Sequence, residues 1–218
     1  PLYSSAASDV YKRQGYKHGS TTVQTLNDEN LWMCWPYLFG FSFTAKRWGE
    51  IHIDQLKQIK FDDDAFDYLV LDSDIKTMMK ALIVNVKHSF KDIIGGKSGG
   101  CIFMLHGPPG VGKTLTCEAV AELLHKPLYS ITVGELGTNV DSLEKKLTDI
   151  LEIANSWDAV ILIDEADIFM EARNKSDIER NGMVSIFLRL LERHQGVMFL
   201  TTNRNEDLDP AFKSRISI

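Results

Sequence analysis

The sequence predicts an α/β fold in which a parallel sheet is flanked by helices and preceded by a partial α+β module. Three observations carry that expectation. Short apolar runs at 101–105, 128–133, 159–163 and 197–200 alternate with stretches of helical periodicity, the pattern of parallel βαβ units. The first run feeds a glycine-rich loop, Gly107 to Thr114, that opens a helix. The third run ends in two adjacent carboxylates, Asp164 and Glu165. Ligands of parallel sheets collect outside the carboxyl ends of the strands, so loop and carboxylates are expected along one edge.

With 218 residues and 44% hydrophobic content the chain can bury one full core and a small second module. The most apolar N-terminal stretch, Leu31 to Phe43, contains Pro36 and Gly40 and falls short of the roughly 20 residues a spanning helix needs. No membrane segment is expected, and no secretory leader is recognisable at the start. Cys34, Cys101 and Cys117 lack the C-x-x-C spacing, so buried free thiols in a reducing, cytoplasmic compartment are expected. The net charge is −6; residues 1–100 hold 12 basic and 12 acidic side chains, leaving 12 basic and 18 acidic in 101–218. That balance does not indicate a nucleic-acid surface, which usually carries a basic stripe.

Taken in order, residues 1–14 resemble a translated sequencing adapter or a disordered tail rather than part of a fold. Residues 15–73 read as a partial N-terminal module. Alternating aromatics at Tyr37, Phe39, Phe41 and Phe43 predict a strand with a core face, and Ile51 and Ile53 alternate again. Asp62, Asp63, Asp64 and Asp67 lack the glycine and glutamate of a calcium loop and read as a solvated turn. Residues 74–100 comprise a helix capped by Asp74 and running to about Phe90, with Ile75, Met78, Met79, Leu82, Ile83 and Val86 at helical spacing, then a flexible glycine linker, 95–100. Residues 101–218 form the main α/β unit. Its helices run over Lys113 to His125, over a stretch with Leu143, Leu147, Ile150, Leu151 and Ala154 on one face, and over Met183 to Arg193, with Ile186, Phe187, Leu190 and Leu191 inward. Between Val133 and the second helix the residues Gly134 to Asn139 read as a loop.

The spacing G-x-x-x-x-G-K-T answers the needs of a bound triphosphate. Glycine lets the backbone approach phosphate oxygens, and successive N–H groups at a helix N-terminus form an anion cradle. Lys113 bridges the β- and γ-phosphates, and the Thr114 hydroxyl meets Mg²⁺. The expected nucleotide-binding residues are therefore Gly107, Pro108, Pro109, Gly110, Val111, Gly112, Lys113, Thr114 and Leu115. Asp164, at the end of the third strand, is the second expected metal-shell residue, and Glu165 orients or deprotonates the attacking water. Asn203, after the fourth strand, can donate to a γ-phosphate oxygen and accept from that water. Gly96-Lys97-Ser98 lacks a preceding strand and carries no such expectation.

The order of loop, Asp-Glu pair, Thr201-Thr202-Asn203 and Leu208-Asp209-Pro210-Ala211-Phe212 resembles the AAA+ ATPases, a branch of the P-loop NTPases. Within them the chain looks like filamentous-fungal proteins that join an uncharacterised N-terminal domain to one AAA+ module. The matching stretches are Gly40-Phe-Ser-Phe through Lys46-Arg-Trp-Gly, Ala65-Phe-Asp-Tyr-Leu-Val-Leu, His106-Gly-Pro-Pro-Gly-Val-Gly-Lys-Thr, Ile178-Glu-Arg-Asn through Phe187-Leu-Arg-Leu-Leu-Glu, and Ala211-Phe-Lys-Ser-Arg-Ile. The resemblance implies ATP and Mg²⁺ as ligands, a homo-oligomeric ring with ATP sites between subunits, Asn203 as γ-phosphate sensor and remodelling of an unknown macromolecule. Arg215 matches the arginine finger, acting in trans; Arg204 and Arg173 are weaker interface candidates.

Three departures qualify that likeness: the 134–138 loop has no aromatic pore residue, the linker before the first strand is unusually glycine-rich and loose, and Ile218 falls inside an expected fifth strand, before the helical lid. A nucleotide-dependent assembly switch with little turnover is the alternative reading. A small-molecule kinase would need an acceptor site and an arginine lid that the sequence does not offer.

Overall fold

The computed structural model describes residues 35–87, 100–137, 139–170, 178–203 and 209–217. Residues 1–34, the Gly95–Gly99 part of the linker, Arg173, Arg204 and Ile218 thus lie outside the described residues. The chain divides between Lys60 and Phe61 into two units.

In the first unit the alternating stretch forms β1 (Tyr37–Ser42), which pairs antiparallel with β2 (Arg47–His52) from Tyr37 opposite His52 to Ser42 opposite Arg47. Lys46 turns the chain in left-handed backbone (φ 52°), and Ser42 Oγ accepts the Ala45 N–H at 3.1 Å. The aromatic stripe is not the core that alternation predicts. Phe41 is buried, edge-on to Phe43 and Trp48, whereas Trp35 and Tyr37 are exposed and Phe43 lies past the strand end. A lone two-stranded sheet offers too little surface to cover every aromatic on it.

The second unit opens on the acidic turn. Phe61 stacks on His125 with ring centres 4.7 Å apart, and His125 Nε2 lies 2.5 Å from Asp63 Oδ1. The Asp62 N–H donates to Glu122 Oε2 at 2.9 Å, while Asp62 Oδ1 accepts the Asp64 N–H. Helix α1 (Ser73–Lys87) follows. Its cap is Asp72 rather than Asp74: Asp72 Oδ1 accepts the Asp74 N–H and its carbonyl accepts the Lys76 N–H, both at 2.9 Å. Of the expected apolar stripe, Met79 and Ile83 are buried while Ile75 and Met78 face solvent.

Four parallel strands form the sheet: β3 (Cys101–His106), β4 (Leu128–Thr132), β5 (Val160–Asp164) and β6 (Val197–Thr202), in the spatial order β3-β6-β5-β4. Strand side chains alternate between faces. Cys101, Phe103, Val160, Leu162, Val197 and Phe199 pack with Phe66, Met79 and Ile83 before and within α1, and with Cys117, Val120 and Leu124 of α2 (Lys113–Leu124). Phe103 stacks on Phe199 at 5.0 Å between ring centres, and a buried phenylalanine of this kind contributes about 3–5 kcal/mol relative to alanine.

The loop expected after β4 is instead a single helical turn, α3 (Val133–Leu136), because Thr132 and Glu135 form a reciprocal capping box and Gly137 stops the turn at φ 94°. Asn139 Oδ1 then accepts the Ser142 N–H and starts α4 (Val140–Trp157). Helix α4 buries Leu143, Leu147, Leu151 and Ala154; Ile150, expected on that stripe, is only partly covered. After β5 come α5 (Asp167–Met170) and α6 (Ile178–Leu191). Val184, Phe187, Leu188, Leu190 and Leu191 of α6 are buried, but Ile186 only partly. Phe187 stacks on Phe169 and lies tilted against Phe212 of α7 (Pro210–Lys213).

At the outer edge of β3 the Ser217 N–H donates to Ile102 O at 2.7 Å and Ser217 Oγ accepts the Ile102 N–H at 3.2 Å. Residues 215–217 form no strand, although they reach the edge where a fifth was expected. Gly100, the last linker glycine, is held in place: its N–H donates to His194 O, and a Cβ there would lie 2.7 Å from that oxygen.

Candidate functional site

All the sequence-predicted site residues except Arg215 stand at the carboxyl edge of the sheet. Strand β3 ends at His106, directly opposite Thr202 of β6, and the Gly107 N–H donates to the Thr202 carbonyl at 3.3 Å. The glycine-rich loop therefore leaves the sheet beside the end of β6. Gly110 and Gly112 have φ of 82° and 91°, backbone that side chains disfavour, and a Cβ on either would meet nothing within 4 Å. Glycine is needed here for conformation, and the space over the loop is open.

Gly112 is the N-cap of α2 and supplies no side-chain hydrogen bond, so the first N–H groups of the helix are left uncapped. Thr114 and Leu115 are exposed on that first turn. An open cradle of N–H donors at a 12-residue helix's positive end suits a polyphosphate.

Lys113 Nζ donates to Gly107 O at 2.6 Å, Pro108 O at 3.0 Å and Asn203 Oδ1 at 2.8 Å. Lysine and asparagine, 90 positions apart, thus meet over the loop. The lysine's cation lies within reach of anything seated in the cradle, because Lys113 is itself the first residue of α2.

Asp164 ends β5, with four buried apolar residues before it, and Glu165 follows in left-handed backbone at φ 55°. That conformation costs a non-glycine residue about 1–2 kcal/mol. The Glu165 side chain is exposed, as an acid meeting a water-borne substrate must be. Two residues passed over by sequence reasoning, Thr201 and Thr202, hold this corner. Both are buried. Thr201 Oγ1 donates to Asp164 Oδ1 and accepts the Glu165 N–H at 2.9 Å; Thr202 Oγ1 donates to Asp167 Oδ1. Only the register, which sets β6 beside both β3 and β5, could have exposed this role.

Cys117 lies beneath the loop, its Sγ 3.3 Å from Lys113 O. Burial, reinforced by the charge of Asp164, pushes its thiol well up, so it stays protonated and acts as packing. Arg215 sits apart, with its guanidinium on the Glu192 carboxylate and, at 2.6 Å, on Ala211 O. Among the described residues no group of three or more His, Cys, Asp or Glu could hold a metal ion. No helix among the described residues is long and apolar enough to cross a membrane.

Comparison with known proteins gives the family and the fold. Residues 103–218 match the family described as ATPase family associated with various cellular activities (AAA). The human Pachytene checkpoint protein 2 homolog is 28% identical over 184 residues, covering 70% of this chain and 42% of that protein. Mouse Nuclear valosin-containing protein-like is 29% identical over 170 residues, covering 73% and 19% respectively. The chain thus spans about two-fifths of the checkpoint homologs' length and less of the latter. Among solved structures, the E. coli MS115-1 HORMA:CdnC:Trip13 complex contains a chain similar in fold, with a TM-score of 0.53 at 18% identity over 71% of this chain and 64% of that one.

Proposed function

This chain belongs to the AAA family of ATPases, and from that premise we propose that residues 101–218 bind Mg-ATP at the carboxyl edge of the sheet and hydrolyse it by in-line attack of water. The observation that carries the reading is the meeting of Lys113 with Asn203 at 2.8 Å, beside an Asp164–Glu165 pair anchored on the same strand end. Three motifs distant in sequence converge where a triphosphate would lie.

In this reading the N–H groups from Gly110 to Leu115 cradle the phosphates. Lys113 exchanges its loop carbonyls for β- and γ-oxygens, a trade of neutral acceptors for anionic ones. Thr114 and Asp164 would hold the magnesium ion, which supplies charge neutralisation when bound. Glu165 draws the proton from the attacking water, and Asn203 orients that water against the γ-phosphate. Arg215 serves a neighbouring subunit's site within a homo-oligomeric ring, releasing Glu192 to do so.

The energy released remodels a macromolecule. A protein substrate is favoured by the similarity to a Trip13 whose solved complex contains HORMA and CdnC. The module before the ATPase unit, placed at 15–73 from the sequence, selects that partner; residues 61–87 of the stretch read as module end and linker belong instead to the second unit, where Phe66, Met79 and Ile83 join its core. An assembly switch with little turnover is the second reading. The exposed, water-facing Glu165 favours hydrolysis over it.

The deciding experiment is equilibrium binding of Mg-ATP to this chain and to Lys113→Ala, because binding does not require a completed ring. The expected outcome is binding by the parent and a loss of about tenfold or more in the variant, the scale of a charge-assisted contact. Equal affinity in both would overturn the assignment of the loop.

A further inference from the structure

We propose that Thr201 is a positioning residue for hydrolysis, setting the Asp164–Glu165 pair through a single hydroxyl. The inference rests on the reading of those two carboxylates given above and adds the element that aims them.

Three consecutive residues are tied to this one threonine. Its Oγ1 donates to Asp164 Oδ1, the same oxygen accepts the Glu165 N–H at 2.9 Å, and its carbonyl accepts the Ala166 N–H at 3.0 Å. A hydroxyl has one proton to give. Spending it on Asp164 fixes the rotor and turns a lone pair toward Glu165. The side chain is 1% exposed, so water does not compete for either bond.

Glu165 needs such a tie. Its φ of 55° is backbone that a non-glycine residue keeps only where the surroundings over-determine it. Beside it, Thr202 Oγ1 donates to Asp167 Oδ1 at the first residue of α5, so consecutive threonines of β6 hold both ends of the 164–167 turn. Thr201 engages Oδ1 of Asp164 and so fixes the orientation of the carboxylate that, in that reading, would hold the cation. The hydroxyl thus presents Asp164 in one orientation and Glu165 in another, without touching nucleotide itself.

The test compares Thr201→Val, which keeps the shape and loses both hydrogen bonds, with Thr201→Ser, which keeps them. In Thr201→Val, kcat falls about 10- to 100-fold, as for outer-shell partners of metal ligands, while KM for Mg-ATP moves by less than about threefold. Amide hydrogen exchange at Glu165 speeds up about tenfold or more with and without nucleotide, since its acceptor is gone. Thr201→Ser returns both readouts to near the parental values. If valine fails to fold, Thr201→Ala carries the same expectation. Parental kcat in the valine variant, or serine no better than valine, would overturn the proposal. If Lys113→Ala binds Mg-ATP as tightly as the parent, the functional reading fails separately, and unchanged exchange at Glu165 in the valine variant still refutes the positioning role.

Discussion

At the carboxyl edge of the sheet Asp164, Asp167, Thr201 and Thr202 trade hydrogen bonds between neighbouring elements, whereas at the amino edge a single imidazole, His194, is sealed against Gly100 and Gly196. Both edges bury polar groups beneath the same strands. The carboxyl edge bonds its carboxylates to threonine hydroxyls and leaves Glu165 in water. The amino edge keeps no charge: burial, slightly offset by a contact to the Val197 backbone, pushes the His194 pKa down to about 4. The difference teaches where change should be felt. Substitutions at the first edge should cost turnover with the fold intact, and at the second should cost the fold with nucleotide affinity intact.

The largest expected effects fall on turnover, at the carboxyl edge and at Arg215, which stands apart from it. Arg215→Ala should lower assembled turnover by about 10³-fold or more, and Glu165→Gln by about 10²–10⁴-fold, each with Mg-ATP affinity within a few fold of the parent. Steady-state hydrolysis beside equilibrium binding measures both. Glu165→Gln turning over at the parental rate would remove the general base from the mechanism.

Next comes pH. Above about 6.5 His194 is neutral folded and unfolded, so it contributes no slope. As pH falls below that value the unfolded chain takes up a proton that the native site refuses until about 4, and stability declines by about 3 kcal/mol across the interval. Urea midpoints at pH 7 and pH 4.5 for the parent and for His194→Gln should show the smaller decline in the variant. Identical declines would mean that His194 is not the group being protonated.

The smallest effect sharpens the same contrast. Gly100→Ala places a methyl 2.7 Å from His194 O and should cost about 1–3 kcal/mol at neutral pH, with KM for Mg-ATP unchanged. An unaltered urea midpoint would show that the amino edge has slack.

The sheet was legible because its strands are continuous apolar runs, and the loop because glycine, lysine and threonine at fixed spacing admit few other uses. What escaped was whatever depends on register or on competition between local bonds. Thr201 reads as the tail of a strand until β6 is set between β3 and β5, and only then does its hydroxyl acquire two partners. Asp74 is the more obvious cap by its place before Ile75, but Asp72 reaches its N–H first. The 134–137 stretch looks like a loop because of its glycines, yet Thr132 and Glu135 cap each other and wind it once. The aromatic stripe at 37–43 misled because periodicity records which side chains share a face, and says nothing of whether another layer covers it.

Helix α2 meets the glycine-rich loop with its first residue, and the residue after its last is His125, stacked on Phe61 and bonded to Asp63. Its 12 residues make a rod of about 18 Å, too short to bend appreciably. The two ends of this one short helix thus serve different neighbours, the glycine-rich loop at its start and the acidic turn at its end.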